Sequence, residues 1–406
     1  MVEKAVHVMR SSPNVVQRGT ETTLVIVTYD DLSIVGGSHS LIRDEFRYFE
    51  RRLPTVLFSR KPRRPATLDV PSLYFAGSSV PTRHLRLLAS MTAIFLGLLN
   101  FGRKSHASVF HSNDAYAGFV CCVLGRILKA RTILTVHGPL TYEFVSFYGF
   151  TRPQFGLAGL LYFSLVRIIE SYAYRHVDAI IAVSDFERKF VEKTRKTNVN
   201  VITNGINLTQ YNPHPNRSDR LGDLARLLKG KKVVTFVGRM VPKNGVLVLA
   251  HAIPKVVKAR KDVVFLVVGD GFARDEFKAI LSRADATSRV ILVGEKPNPA
   301  PYYRVSDLFV SHVSSLMEGF GLTVPEAIAC GVPVIVGYDP ISSNRLSSIA
   351  HFVPKDNPPA LAQMILRLLN EDLSAEEPKL RHFAESALGM ETMFQRYMEV
   401  FRTGGA

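Results

Sequence analysis

The sequence predicts an α/β protein with two doubly wound, Rossmann-like domains and a cleft between them. Short apolar runs alternate with longer helical segments, which is typical of parallel sheets covered by helices on both faces. This alternation restarts after Gly205. The chain has 406 residues, more than a single hydrophobic core usually serves.

The first half shows the alternation clearly. Runs of apolar or β-branched residues indicate buried strands, and apolar residues recurring every three or four positions indicate helices. The predicted strands are residues 24–27, 55–58, 108–111, 132–138, 178–184 and 199–203. Helices are predicted at residues 40–52 and 115–128, and the basic, proline-rich stretch 59–71 is predicted to be a loop.

The second half repeats the pattern after residues 212–216, which are rich in asparagine and proline. The predicted strands are residues 231–237, 263–268, 290–293, 308–311 and 332–336, with helices at 246–260 and 322–330. We therefore predict one domain over residues 1–206, a second over 207–385, and a C-terminal helical segment over 386–406.

Composition and cysteine content exclude several classes of protein. Apolar residues make up 47% and charged residues 21% of the chain, which is ordinary globular usage and excludes a disordered or fibrous chain. Three cysteines, two of them adjacent at Cys121 and Cys122, exclude a disulfide scaffold. No zinc-like Cys/His spacing occurs. We expect a reducing, cytoplasmic location, since residues 1–19 also lack an apolar signal-peptide core.

The charge is strongly positive and uneven. The formal net charge is +16, and residues 1–205 hold 26 Lys and Arg against 15 Asp and Glu. Nucleic acid, an anionic membrane surface and a phosphorylated substrate are all partners of the right sign. No nucleic-acid-binding module or interleaving of basic and aromatic residues is visible, so we expect no nucleic-acid partner.

Two long uncharged runs bear on membrane contact. Residues 87–102 and 153–166 carry no charge, but both are shorter than the roughly 18–20 residues that span a bilayer. They are predicted to form buried or half-buried helices. The alternative is an apolar face that lies in a membrane interface, on the inner face of the membrane.

Ligands of open parallel sheets bind at the carboxyl ends of the strands, so residues that follow strands are the candidates. Gly36-Gly37 precedes a helix and could let amides approach a phosphate, although such a turn alone is commonly structural. Arg239 follows a strand and can meet a phosphate, with Lys243 four residues on. Gly269-Asp270-Gly271 lacks the third glycine of a dinucleotide fingerprint and is interpreted as a tight turn.

The most informative stretch is residues 318–327. Glu318 and Glu326 flank a Gly-Phe-Gly turn and a helix start, with Pro325 in the expected first turn. Carboxylates accept hydrogen bonds from the hydroxyls of sugars or ribose, and glycine-turn amides can approach an anion. This arrangement predicts a sugar-nucleotide site.

Two histidines follow predicted strands. His137 stands before Gly138, where its imidazole could reach the cleft, and His111 also lies at a strand end. Most single histidines are structural or solvated; position favours a functional role strongly for His137 and only slightly for His111. Asp-x-Asp is absent from the chain, as are the phosphate-loop and nucleophile-elbow motifs. We therefore expect no metal and no cofactor, with any diphosphate held by Arg, Lys and helix termini.

At these residues the sequence resembles the retaining, metal-independent glycosyltransferases of the GT-B fold, specifically family 4. The resemblance covers nearly the whole chain. It rests on Gly36-Gly37, Thr135-Val136-His137-Gly138, residues 178–184 and 202–207, Gly238-Arg239, Gly269-Asp270-Gly271, the spaced glutamates, and a C-terminal helix at residues 390–401 that in this fold crosses back to the first domain.

The resemblance implies the substrates and site roles. It implies transfer of a hexose from a nucleoside diphosphate sugar to an acceptor, with an acceptor-side first domain and a nucleotide-sugar-binding second domain. A lipid-linked acceptor at an anionic membrane and a catalytically impaired sugar-nucleotide-binding protein are two further interpretations. His137, Glu318 and Arg239 would be catalytic. The donor would be bound by Gly36, Gly37, Arg239, Lys243, Asn244, Gly319, Phe320, Gly321, Leu322 and Glu326.

The sequence departs from the family pattern in two places. The family's second cation lies five residues after the arginine, where this chain has Asn244, with Lys243 as its neighbour. Residues 337–343 also lack the expected Gly-Gly and the following Glu. The first departure concerns stabilisation of the leaving group, and the second concerns the identity of the donor.

Overall fold

The computed structural model describes residues 6–8, 23–30, 32, 37–60, 73–75, 83–105, 107–141, 156–195, 198–213, 221–311, 313–314, 321–338 and 346–402. The chain divides into two compact units. Unit 1 comprises Met1–Thr203 and Phe394–Ala406, and unit 2 comprises Asn204–Met393. The predicted α/β class with two Rossmann-like sheets is confirmed.

Unit 1 is built on an eight-stranded sheet. Its strands are β1 (Val6–Val8), β2 (Leu24–Val27), β3 (Thr55–Arg60), β4 (Leu73–Phe75), β5 (Val109–Ser112), β6 (Arg131–Val136), β7 (Ala179–Ala182) and β8 (Val199–Val201), in the order β1-β4-β3-β2-β5-β6-β7-β8. Only the β1–β4 pair is antiparallel among these strands. Ser59 and Arg60 belong to β3, so the loop prediction is wrong at these two positions; the rest of the predicted loop, residues 61–71, lies outside the described residues.

The helices of unit 1 are α1 (Gly37–Phe49), α2 (Arg83–Ser105), α3 (Ala115–Leu128), α4 (Gly156–His176) and α5 (Asp185–Glu192). α3 begins after Asp114, whose carboxylate accepts a hydrogen bond from the amide of Ala117 at 2.8 Å and caps the helix. The first uncharged run forms α2, which buries Leu87, Met91, Ile94 and Leu98 at helical spacing.

Unit 2 is built on a six-stranded sheet in which every pair is parallel. Its strands are β9 (Lys232–Val237), β10 (Val263–Val268), β11 (Val290–Gly294), β12 (Leu308–Ser311), β13 (Val334–Gly337) and β14 (Ala350–Val353), in the order β11-β10-β9-β12-β13-β14. The helices are α6 (Asp223–Leu228), α7 (Val246–Ala259), α8 (Arg274–Arg283), α9 (Ala300–Arg304), α10 (Thr323–Ala329), α11 (Pro358–Leu368) and α12 (Glu376–Ala387). Apolar clusters cover both faces of the sheet.

The C-terminal helix α13 (Met390–Arg402) confirms the helix predicted at residues 390–401. Its residues from Phe394 onward belong to unit 1, where Phe394 lies 4.7 Å from the ring of Tyr48 and 5.5 Å from that of Phe49. Phe401 packs on His111 at 5.0 Å. These aromatic contacts join α13 to α1 and β5 of unit 1.

Candidate active site

Two glycine turns meet at the carboxyl ends of β9 and β10 in unit 2. The amide of Gly238 donates to the carbonyl of Val268, and the amide of Met240 to that of Asp270, both at 2.9 Å. A Cβ added to Gly269 would lie 2.0 Å from the carbonyl oxygen of Gly238. The Gly-x-Gly turn therefore serves close backbone packing, as its interpretation as a tight turn requires.

Arg239 lies in the first of these turns, and its side chain is exposed. The next turn of chain, Pro242–Asn244, is a 3₁₀ helix that ends at Gly245, with φ of 83°. Asn244 Nδ2 donates a hydrogen bond to the carbonyl oxygen of Arg239 at 2.9 Å. One amide hydrogen of Asn244 thus closes the loop that presents Arg239 and Lys243.

Gly245 fixes that loop to the segment after β12. A Cβ at this position would lie 2.7 Å from Val313 Cγ2 and 3.0 Å from the amide nitrogen of Val313. Only glycine combines this positive φ with such close contact. The side chains of Arg239 and Lys243 are therefore carried by a loop with a defined backbone path.

The predicted glutamate pair lies only partly within the described residues. Glu318, Gly319 and Phe320 lie outside them. Gly321 has φ of 56°, and Leu322 directly precedes α10. Pro325 lies in the first turn of this helix, as predicted.

Glu326, on α10, is half-buried and accepts a hydrogen bond from the hydroxyl of Tyr303 at 2.8 Å. Burial raises the pKa of Glu326 to about 7, and hydrogen bonds from Tyr303 and Tyr211 oppose this rise. Tyr303 is fully buried on α9 and packs edge-on against Phe309 at 5.3 Å. The carboxyl group is therefore held in place and changes its charge near neutral pH.

In unit 1, only one of the two glycines predicted to contact a phosphate, Gly37, lies within the described residues. Gly37 is the first residue of α1, three positions earlier than the predicted helix start, whereas Gly36 lies outside the described residues. His39 in the first turn of α1 lies 3.3 Å from the carboxylate of Asp30, which follows β2.

His137 directly follows β6, and its Nε2 lies 3.1 Å from Oδ1 of Asn113, which follows the neighbouring strand β5. Burial is the main cause that lowers the pKa of His137 to about 4, and the nearby His111 makes a smaller contribution in the same direction. The ring is therefore neutral at physiological pH.

The chain after His137 is held by a buried carboxylate. Glu170, on α4, accepts hydrogen bonds from the amides of Leu140 at 2.6 Å and Thr141 at 3.4 Å, and from the hydroxyl of Tyr174 at 3.0 Å. Burial raises the pKa of Glu170. This carboxylate fixes the segment that follows the candidate catalytic histidine.

His111 is a structural residue. It is fully buried within β5, with Nδ1 2.5 Å from Glu45 Oε1 and Nε2 2.7 Å from Thr135 Oγ1. Sequence reasoning missed the polar partners Glu45, Asn113, Glu170 and Tyr303. Only the position of Asn113, directly after a strand, could have indicated its role.

Two features are absent from the described residues. No group of three or more His, Cys, Asp or Glu side chains within them could hold a metal ion. Within the same part of the chain, none of the helices combines the length and apolar character needed to cross a membrane.

Two family models match the chain. The model described as Glycosyltransferase Family 4 matches residues 35–210, and the model described as Glycosyl transferases group 1 matches residues 231–371. The first match lies largely in unit 1 and the second in unit 2.

Curated relatives include the UDP-Gal:alpha-D-GlcNAc-diphosphoundecaprenol alpha-1,3-galactosyltransferase of Escherichia coli. It is 25% identical over 266 residues, which cover 63% of this chain and 65% of that protein. The phosphatidyl-myo-inositol mannosyltransferase of Mycobacterium tuberculosis is 30% identical over 207 residues, 48% of this chain and 51% of that protein. The chain thus spans about half to two thirds of the length of these relatives.

Solved structures share the fold along most of the chain. The Anabaena protein HepE, in complex with UDP, matches this chain with a TM-score of 0.73 at 18% identity. The match covers 93% of this chain and 99% of HepE. Sucrose-phosphate synthase from Thermosynechococcus elongatus has a TM-score of 0.77 at 19% identity, with coverage of 94% of this chain and 98% of that one. With both family models matched and this fold shared, the chain belongs to glycosyltransferase family 4 and has the two-domain GT-B fold.

Proposed function

We propose that this protein transfers a hexose from a nucleoside diphosphate sugar to an acceptor, without a metal ion and with retention of the anomeric configuration. One observation carries the proposal. In unit 2, the loop of Arg239 and Lys243 is locked between glycine turns at the carboxyl ends of the strands, and Glu326 is held by Tyr303 on α10. Cations for a diphosphate and a carboxylate for a ribose therefore belong to one Rossmann-like unit.

The main barrier to such a transfer is the negative charge that develops on the departing diphosphate. Arg239 and Lys243 supply positive charge in place of a metal ion, and Asn244 keeps their loop closed while retaining a second amide hydrogen for a phosphate oxygen. Each well-placed donor contributes roughly 3 kcal/mol of transition-state stabilisation. The amides of Gly36 and Gly37, and those of residues 319–322, add neutral donors.

The remaining roles concern the sugar and the ribose. Glu326 accepts hydrogen bonds from the ribose hydroxyls, Glu318 from the hydroxyls of the transferred sugar, and His137 contacts that sugar. A sugar-nucleotide-binding protein without catalysis is the competing interpretation, since the family's lysine position holds Asn244.

A lipid-linked acceptor on the inner face of a membrane fits the surface of unit 1. The exposed side chains of α4 include Leu157, Leu160, Leu161 and Ile168, which share one helical face and are named the α4 stripe below. Arg167 and Arg175 of α4 are exposed as well, whereas its one acidic residue, Glu170, is buried. Of the two curated relatives described above, one is named for a sugar linked to diphosphoundecaprenol and the other for phosphatidyl-myo-inositol.

A thermal-shift panel of nucleoside diphosphates and their hexose conjugates tests the donor. A ligand at 100 times its Kd stabilises the protein by roughly 2.7 kcal/mol. The same panel with Glu326→Ala and Arg239→Ala should give no shift with the conjugate that stabilises the wild type. Lys261→Ala, which removes an exposed cation of unit 2, is the matched control. If no member of the panel stabilises the wild type, the donor assignment is wrong.

Turnover separates an enzyme from a binding protein. The wild type should slowly hydrolyse the stabilising conjugate without an acceptor, and faster transfer should follow when lipid extracts are added. Anomeric configuration is read by NMR of the product. Binding without hydrolysis or transfer would favour the non-catalytic interpretation.

Flotation with vesicles tests the membrane surface. Anionic vesicles should carry the wild type upward at low salt, and Leu160→Ser combined with Leu161→Ser should reduce that fraction several-fold. Leu227→Ser, an exposed leucine of unit 2 that is 63% accessible, is the matched control. Equal flotation of the stripe variant and the control would favour a soluble acceptor.

A further inference from the structure

A buried chain of hydrogen bonds leads from α1 to His137. Glu45, which is 2% exposed, lies with Oε2 3.3 Å from Asn113 Nδ2. Asn113 Oδ1 lies 3.1 Å from His137 Nε2. The second oxygen of Glu45 lies 2.5 Å from His111 Nδ1. Glu45 lies on α1, Asn113 directly follows β5, and His137 directly follows β6.

The chemistry of a carboxylate gives this chain a direction. Its oxygens only accept hydrogen bonds, so Asn113 must turn its NH₂ group toward Glu45 and its carbonyl oxygen toward His137. That carbonyl oxygen also only accepts. His137 must therefore carry its proton on Nε2, and in the neutral ring Nδ1 then holds a lone pair.

The lone pair of His137 Nδ1 is buried and lacks a hydrogen-bond partner in the part of the chain that the structure describes. Buried polar atoms without a partner are rare in native proteins, and those that occur commonly serve a function. The lowered pKa of His137 keeps the ring neutral, so that Nδ1 stays an acceptor at physiological pH.

The surroundings hold the chain rigid. The ring of His111 packs edge-on against Tyr397 at 5.6 Å and beside Phe401 at 5.0 Å, both on α13. Its Nε2 contacts Thr135 at 2.7 Å. Glu45 therefore has little freedom to release Asn113, because its other oxygen is engaged in a packed aromatic environment.

We propose that Glu45 and Asn113 are positioning residues that hold His137 in the Nε2–H tautomer, so that Nδ1 accepts a hydrogen bond from a hydroxyl group of the transferred sugar. The sugar contact rests on the proposed function, whereas the tautomer rests on the hydrogen-bond chain alone. Glu45 and Asn113 act through His137 and do not themselves contact the substrate.

Nitrogen-15 NMR of the histidine-labelled protein tests the tautomer without any substrate. The His137 signals, assigned by their loss in His137→Gln, should show a protonated Nε2 and an unprotonated Nδ1. In Asn113→Leu both nitrogens should move toward averaged shifts, because the acceptor that selects one tautomer is gone. A wild-type spectrum with the His137 proton on Nδ1 would overturn the proposal, even if Asn113→Leu does not fold.

Kinetics test the consequence for the sugar. Asn113→Leu should lower kcat by about tenfold to a hundredfold, as misplacement of a reacting group does, with the Kd of the free nucleoside diphosphate unchanged. The double variant with His137→Ala should be no slower than His137→Ala alone, because Asn113 acts only through that ring. Multiplying losses would contradict this role.

Two comparisons complete the test. Ser90→Ala, which removes a fully buried hydroxyl of unit 1, should leave kcat unchanged and controls for general damage to the core. If the wild type turns over no nucleotide sugar, the proposed function and the sugar contact both fail, while the spectrum still decides the tautomer.

Discussion

The close packing of the two glycine turns in unit 2 allows the loss of unfolding free energy to be predicted for alanine substitutions at three glycines. Gly269 has φ of 136° and also touches the backbone of Gly238, where an added Cβ would lie at 2.0 Å. Gly271 has only the close contact, with a Cβ at 2.4 Å from the carbonyl oxygen of Met240. Gly294 has only the positive φ, of 78°, with open space around its Cβ. Substituting each by alanine separates backbone strain from steric overlap.

The expected losses of unfolding free energy follow from these contacts. Gly294→Ala should cost about 1–2 kcal/mol, the penalty of a left-handed backbone for an L-residue. Gly271→Ala should cost about 2–3 kcal/mol, because overpacking forces the turns apart. It also weakens the 2.9 Å bond from the amide of Met240 to Asp270. Gly269→Ala combines both penalties, so we expect about 4 kcal/mol or more.

Urea unfolding followed by circular dichroism gives the three losses, and calorimetry gives nucleoside diphosphate affinity for the variants that remain folded. Gly271→Ala should weaken binding because it displaces the turn beside Arg239, whereas Gly294→Ala should not. If Gly269→Ala is no more destabilising than Gly294→Ala, the overlap with Gly238 costs nothing and this prediction is wrong.

Four further results are expected. The pKa of Glu326 is raised to about 7, so between pH 4 and pH 8 the folded state keeps a proton that the unfolded state has lost. The unfolding free energy of the wild type, measured in urea relative to Glu326→Gln, should therefore fall by up to about 3 kcal/mol as the pH rises from 4 to 8. Nucleoside diphosphate affinity should instead rise through pH 7 in the wild type and stay flat in Glu326→Gln by calorimetry, since only the ionised carboxylate accepts two ribose hydroxyls; a flat wild-type profile would remove the ribose role. Lys243→Ala should lower diphosphate affinity about tenfold, whereas Asn244→Ala should mainly lower the unfolding free energy, by about 1 kcal/mol. If Asn244→Ala instead lowers affinity and Lys243→Ala lowers stability, then Asn244 binds the phosphate and Lys243 supports the loop. Glu170→Ala should destabilise unit 1 by about 2–3 kcal/mol in urea and lower turnover more than nucleotide affinity, because the segment it holds follows His137; equal losses would point to a purely structural carboxylate.

Local sequence patterns determined most of the elements. The run at residues 263–268 is a strand with those same bounds, because six consecutive apolar residues need burial on both faces of a sheet. The helix at residues 115–128 also has its predicted bounds, since Asp114 caps its first turn and an apolar face follows at helical spacing. Such signals lie within a few positions of each other in the chain, so the sequence alone carries them.

Tertiary structure decided the partners of the polar groups. Glu45 and Asn113 are 68 positions apart and Glu326 and Tyr303 are 23 apart, yet each pair is joined by a hydrogen bond. Nothing in the local sequence selects such partners, because they depend on how distant helices and strands pack. The sequence by itself determined the two-sheet fold and the strand ends from which Arg239 and His137 extend. Only the packed structure decided which ring nitrogen of His137 is engaged and how far burial raises the pKa of Glu326, since both depend on groups brought close by folding.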